Sequence, residues 1–287
     1  MTTAEAYIGF QDQLKKIYDE READNISDWV FENVTGQKRW ERKNQPDTLK
    51  DEAFHQLQNY LQQLLQHKPV QYVLNEAWFY KNKFFVNENV LIPRPETEEL
   101  VEWIIEDVRR ATHNVRCTIL DIGTGSGCIP ISLKREIPAS HVTAIDISER
   151  ALRVAKKNAE NFDAKIGFLP IDFLHDNNWK ALSQFDIIVS NPPYIPVSEK
   201  KVLQKNVTDF EPGIALFVAD NDPFIFYKKI SVFAQTHLKQ NGKIYVEVHE
   251  EYAKKVKALF EEAGFISKIK KDIYGKERMV SAVFIES

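Results

Sequence analysis

Apolar side chains recur at helical spacing through the first 75 or so residues: Phe10, Leu14 and Ile17, then Ile26, Trp29 and Val30, then Phe54, Leu57, Leu61, Leu64 and Leu65. This stretch predicts a small helical region with polar breaks at 20–25 and 37–47. The texture changes at Trp78, where aromatic runs at 78–80 and 84–86 flank a turn at Lys81-Asn82-Lys83, the pattern of a β-hairpin joining two domains. From Pro93 onward, helical patterns alternate with short β-branched runs, as in βαβ units around a parallel sheet. Leu100, Val101, Ile104, Ile105 and Val108 line one helix face. Strands are expected at 117–122, 141–146, 166–171, 185–190 and 243–248. Helices are expected from Cys128, over 150–161, from Pro223 to a stop at Asn241-Gly242, and in a last segment ending at Gly264. The runs 266–269 and 279–285 have no helix between them and should pair antiparallel. The expected organisation is a helical domain over 1–75, a hairpin linker over 76–92 and an α/β domain over 93–287.

Composition narrows the class. Apolar residues make up 43%, and only 10 Gly and 12 Pro occur, which excludes collagen-like, low-complexity and wholly disordered chains. Lys and Arg number 38 against 42 Asp and Glu, a net charge of -4, so no global positive field gathers polyanions and no direct nucleic-acid partner is expected. Cys117 and Cys128 are too few for a disulfide framework and lack zinc-site spacing, which suggests a reducing, cytoplasmic setting. Residues 1–10 lack the order of a signal peptide, and no apolar run reaches the roughly 18 residues that span a bilayer, so no membrane association is expected. His249-Glu250-Glu251 is followed by Ala253, so no H-E-x-x-H motif forms and no metal is expected. The pairs Lys200-Lys201 and Lys254-Lys255 and the lysines of 268–271 read as solvated faces.

The first candidate chemistry lies after the first strand of the α/β region. Asp121-Ile122-Gly123-Thr124-Gly125-Ser126-Gly127 is a glycine turn leading into a helix, where the backbone can approach a ligand closely. A dinucleotide fingerprint needs a third glycine in G-x-G-x-x-G, but that position is Cys128 counted from Gly123 and Pro130 counted from Gly125, which disfavours NAD. Asp146 ends the second strand, 21 residues beyond Gly125, where a carboxylate can accept both ribose hydroxyls. G-x-G-x-G with this acid resembles the S-adenosylmethionine site of Rossmann-like methyltransferases.

The fourth strand runs into Asn191-Pro192-Pro193-Tyr194, at the sheet edge where open α/β folds bind ligands. An amide or aromatic amine nitrogen is a poor nucleophile because its lone pair is delocalised. The Asn191 side-chain oxygen and the Pro192 carbonyl can each accept one N–H of such a group, favouring a pyramidal, electron-rich nitrogen in the transition state. Proline has no N–H and a fixed φ, so neighbouring carbonyls are left to face a site, and Tyr194 offers a flat wall. Phe84 and Phe85 read as hairpin packing rather than substrate contacts, whereas for Arg94 and Glu96 a structural ion pair and a substrate contact stay equally open.

These residues, with Gln71-Tyr72-Val73, the run Val90-Leu91-Ile92-Pro93-Arg94-Pro95-Glu96-Thr97-Glu98, Glu211-Pro212 and Asp272-x-x-Gly275-x-x-Arg278, resemble the peptide chain release factor glutamine methyltransferase family from about Pro69 to the C-terminus. The first 70 residues match only in helical character. The resemblance implies a Rossmann-like methyltransferase sheet, mostly parallel with the last strand antiparallel. It implies S-adenosylmethionine held by Gly123, Thr124, Gly125, Ser126 and Gly127 at its methionine portion, by Asp146 at the ribose, by Asp172 and Phe173 at the adenine, and by Asn191. Asn191, Pro192, Pro193 and Tyr194 would hold the glutamine of a release factor, and the helical domain would grip that protein. Pro223-Phe224 departs from the family's usual Gly-Leu, and Cys128 and Pro130 stand where it has small residues; these changes bear on local loop geometry more than on activity. The alternatives are an adenine-N6 or ribosomal RNA guanine methyltransferase with the same loop, and a silent S-adenosylmethionine-binding assembly factor.

Overall fold

The Thr2 hydroxyl accepts from the Glu5 N–H and the Glu5 carboxylate accepts from the Thr2 N–H, a reciprocal cap that starts α1 (Thr3–Leu14). Asp19 caps α2 (Glu20–Thr35), which ends at Gly36 in the left-handed conformation. The break expected at 20–25 is therefore the start of a helix. Glu20 and Glu22 complement the positive helix end, and their polarity marks exposure, not an interruption. A short helix, α3 (Arg39–Asn44), likewise occupies the second expected break, of which Gln45 and Pro46 lie outside the described residues. With α4 (Asp51–Leu65) and α5 (Val70–Leu74), these helices bury Phe10, Leu14, Val30, Phe31, Leu57 and Leu64 in one core.

The computed structural model describes residues 1–44, 47–111 and 116–284. It divides into two compact units, Met1–Glu76 with Gln204–Phe210, and Ala77–Leu203 with Glu211–Ser287. The hairpin is β1 (Glu76–Phe79) and β2 (Asn82–Phe85), and its turn sits one residue earlier than expected, with positive φ at Tyr80 and Lys81. Phe79 and Phe84 are buried in the larger unit's core, so the hairpin is part of that unit rather than a free linker.

The larger unit continues with α6 (Pro95–Ala111), β3 (Thr118–Ile122), α7 (Cys128–Glu136), β4 (His141–Asp146), α8 (Glu149–Asn161), β5 (Ile166–Pro170), β6 (Phe185–Ser190) and the short β7 (Ile195–Pro196). After α9 (Lys205–Thr208), which clusters with the helical unit, come α10 (Gly213–Leu216), β8 (Phe217–Val218), α11 (Ile225–His237), β9 (Leu238–Glu247), α12 (Ala253–Glu262), β10 (Phe265–Lys271) and β11 (Glu277–Phe284). The seven-stranded sheet has the order β10-β11-β9-β6-β3-β4-β5. β11 is antiparallel to both neighbours and the other pairings are parallel, the Rossmann-like arrangement expected.

Both faces of the sheet are covered, and alternate strand residues serve opposite cores. Leu120, Ile188 and Ile244 meet Tyr227, Phe233 and Phe260 on one face, while Ile119, Ile187 and Tyr245 meet Leu100, Ile104 and Ile131 on the other. One expected helix end is corrected. α11 stops at His237, and Asn241-Gly242 lies inside β9. There the register passes from Phe185↔Leu238 to Ile187↔Lys243, a bulge with Asn241 at φ 60°, and a Cβ on Gly242 would come within 2.8 Å of the Lys239 carbonyl. Ile285, the end of the last expected strand, lies outside the described residues. Among the described residues no helix is long and apolar enough to cross a membrane.

Candidate active site

The chain order β3, β4, β5 runs outward in one direction and β6 starts on the other side of β3, so the loops after β3 and β6 flank the switch point of the sheet. The Ser190 hydroxyl donates to the Ile122 carbonyl at 2.7 Å and ties the two strand ends together just before their loops begin. Gly123, Gly125 and Gly127 all have positive φ (75°, 55° and 80°), which a side chain would strain. Gly127 is further constrained because a Cβ there would come within 3.1 Å of the Ala155 and Ile131 side chains, which would have to shift to admit it. Cys128 and Pro130 fit the helix that follows, since Pro130 falls in the first turn, where its missing N–H costs no helical bond.

A cavity of about 220 Å³ opens at this edge. Of the residues singled out in the sequence, Gly123, Gly125, Asp146, Asp172, Phe173, Asn191 and Pro193 line it together. Thr124 and Ser126 are buried beneath the turn, Pro192 is buried, and Tyr194 packs against the core. Asp146 is held from both sides: one oxygen accepts the Gly125 N–H at 2.9 Å and the other the Ser148 N–H at 2.8 Å. Burial raises its pKa, opposed by those two donors. Asp172 accepts the Leu174 N–H and lies 2.6 Å from the His175 ring nitrogen. Phe173 is largely inside the core against Trp179 and Phe233. Arg94 forms an ion pair with buried Glu211 at 2.6 Å, and Glu211 also accepts the Ile92 N–H, so this pair ties down the start of α6.

Three residues with consequences for the site lacked an assigned role in the sequence reading. Asn158 in α8 is fully buried, takes the Phe85 N–H, and donates to the carbonyls of Phe85 and Ser126, joining hairpin to glycine turn. Glu247, at the end of β9, is 2% exposed. A lone carboxylate in the apolar run Ile244-Tyr245-Val246-Glu247-Val248 was a signal available in the sequence. Asp121 is the third: it is fully buried below the glycine turn, and among the described residues neither oxygen has a hydrogen-bond partner.

Burial pushes the Asp121 carboxyl up from 3.8 to about 7, opposed by the nearby Thr124 hydroxyl and helped by the Asp146 charge. Burial also lifts Glu247 from 4.5 to about 7, against the Thr97 hydroxyl and the Arg278 charge. The folded chain therefore keeps protons that the unfolded chain releases, so stability falls as pH rises, from about 3.8 for Asp121 and 4.5 for Glu247 up to about 7. Over the whole range each group accounts for roughly 3–4 kcal/mol of that fall. Melting temperatures should be higher at pH 5.5 than at pH 8, and Asp121→Asn should flatten the difference; a rise in melting temperature across this range would contradict the assignment.

The cavity suits a ligand that is cationic at one end and apolar at the other. Among the described residues its lining has the carboxylates of Asp146 and Asp172 and the His175 ring but no Lys or Arg, alongside Ile122, Ile145, Ile147 and Ile171. S-adenosylmethionine, with a sulfonium, an ammonium, a ribose and an adenine, fits that donor set.

Comparison with known proteins agrees with this chemistry. Residues 103–210 match the methyltransferase small domain, and residues 5–74 match the PrmC N-terminal domain. A release factor glutamine methyltransferase of Flavobacterium psychrophilum is 43% identical over 277 residues, 96% of this chain and 96% of its own length. The protein of the same name from Bacteroides thetaiotaomicron is 42% identical over 79% of this chain and 80% of its own. The crystal structure of a methyltransferase from Pyrococcus furiosus aligns over 79% of this chain and 98% of its own, with a TM-score of 0.51 at 18% identity, a likeness of fold alone.

Proposed function

This chain belongs to the release factor glutamine methyltransferase family, and from that premise we propose that it methylates the side-chain amide nitrogen of the glutamine in the Gly-Gly-Gln motif of peptide chain release factors. The observation that carries the reading is that Asn191 and Pro193 share one cavity with Gly123, Gly125 and Asp146, so an amide-accepting loop adjoins a turn suited to S-adenosylmethionine. Gly123 and Gly125 would face the cofactor's methionine portion, Asp146 its ribose, and Asp172 and Phe173 its adenine. Bound there, the cofactor supplies a methyl group activated on a sulfonium. Asn191 Oδ1 and the Pro192 carbonyl accept the two N–H bonds of the substrate amide and turn its nitrogen lone pair toward the methyl group. No general base is required before attack, because the proton leaves a nitrogen already made acidic by alkylation.

The glutamine is small and sits at a protein loop, so specificity must come from contacts away from the reacting nitrogen. The helical unit is our candidate for that role. The test uses the full chain, since removing the first 76 residues would also strip Gln204–Phe210 of the unit with which it clusters. With labelled S-adenosylmethionine the purified protein should mark a release factor, and Gln→Ala in the Gly-Gly-Gln loop should abolish the mark. Label in DNA or RNA with the factor untouched would point to the adenine or guanine reading. Tight cofactor binding with no label anywhere would point to a silent binding protein.

A further inference from the structure

An asparagine side chain has an acceptor end and a donor end of nearly the same shape, and only the acceptor end serves a substrate N–H. Which end faces the substrate is decided by what holds the other. Asn191 Nδ2 donates to Thr97 Oγ1 at 3.1 Å, and Thr97 Oγ1 donates to Glu247 Oε2 at 2.6 Å. The threonine's single hydrogen is committed to the carboxylate, so toward Asn191 it is only an acceptor. It takes the NH2 end of the amide and leaves Oδ1 free. The three residues come from the start of α6, the loop after β6 and the end of β9, so the order of donors is a property of the fold. On its other oxygen Glu247 accepts the Tyr194 hydroxyl at 3.4 Å, and its backbone carbonyl accepts the Tyr227 hydroxyl at 3.0 Å. The same carboxylate thus holds both ends of Asn191 to Tyr194.

We propose that Thr97 and Glu247 are positioning residues that set the polarity of the Asn191 amide, so that its oxygen and not its NH2 group meets the substrate nitrogen. The inference rests on the reading of Asn191 as the acceptor for the glutamine amide. It also explains a buried acid in an apolar strand: once ionised, above about pH 7, the carboxylate is a pure acceptor and cannot turn the Thr97 hydroxyl around. If the carboxylate is lost, the hydroxyl is free to donate to Asn191 Oδ1. The amide then rotates and presents hydrogens to a substrate that also presents hydrogens.

The test is a set of single-turnover measurements on the full chain with a release factor, combined with calorimetric binding of S-adenosylmethionine. Thr97→Val keeps the shape and removes the relay, and should lower the rate about tenfold or more, with cofactor affinity and KM for the factor within about twofold of parental. Thr97→Ser keeps the hydroxyl and should restore the rate to within about threefold. Glu247→Gln can still offer an oxygen to Thr97 and should retain most of the rate, whereas Glu247→Leu should match Thr97→Val. In an Asn191→Ala background Thr97→Val should cost nothing further, because no amide is left to orient. A parental rate for Thr97→Val, an equal loss in both backgrounds, or Gln as harmful as Leu at position 247 would each overturn the relay. Parental turnover by Asn191→Ala would instead remove the reading beneath it, and is told apart because failure of the relay alone leaves Asn191→Ala inactive.

Discussion

Asn191→Ala should reduce the rate of methyl transfer by about 10²–10³ while leaving the melting temperature and most of the cofactor affinity in place. The asparagine is half-buried, and the only partner of its side chain among the described residues is Thr97 Oγ1, so truncation frees one hydroxyl lone pair and empties little core. What is lost is an oriented acceptor whose interaction strengthens as the attacking nitrogen gains positive charge, which is a loss in the transition state rather than in binding. Asn191→Asp separates orientation from charge. It keeps an acceptor, but sets a second negative group near Asp146 and against Thr97 Oγ1, which would have to turn its hydrogen away from Glu247. It too should be badly impaired. Single-turnover rates at saturating cofactor measure both variants, and a near-parental rate for the alanine variant would take this loop out of the mechanism.

The strands of the sheet were legible as short runs rich in β-branched residues between helical patterns, and 141–146 and 185–190 coincide with β4 and β6. Expectation and structure part where polarity marks an exposed helix face or a bulge rather than irregular chain. Glu20 to Asn25 is polar because α2 exposes its acidic first turns, and Asn241-Gly242 resembled a helix stop although it shapes a bulge in β9. The glycine turn and the Asn-Pro-Pro-Tyr loop were legible because each is contiguous, and because backbone conformation and carbonyl exposure are written locally in Gly and Pro. The supporting contacts are not local. Arg94 and Glu211 are 117 residues apart, Thr97 and Glu247 are 150, and Asn158 reaches back 73 residues to Phe85. No periodicity carries a pairing of that length. Only the anomaly of a polar residue inside an apolar run, as at Glu247, hints that a distant partner exists.

Asp146→Ala should weaken S-adenosylmethionine binding by roughly 2–4 kcal/mol, about 30- to 1000-fold, through loss of two charge-assisted hydrogen bonds to the ribose hydroxyls. The structure adds a second consequence. Each carboxylate oxygen already accepts one backbone N–H, from Gly125 and from Ser148, so the same side chain fixes the glycine turn against the start of α8. Alanine leaves both N–H groups without that acceptor, which costs stability, but it also removes a buried carboxylate whose burial disfavours the charged form, which returns part of it. The net change in melting temperature should therefore be small beside the change in affinity. Calorimetry on the folded variant measures the affinity directly, and circular dichroism establishes that the fold is retained. Cofactor binding as tight as parental in a folded Asp146→Ala protein would show that the ribose is held elsewhere. Comparable binding of NAD by either protein would show that the glycine turn accepts a pyrophosphate after all, although Cys128 or Pro130 stands where a dinucleotide fingerprint has its third glycine.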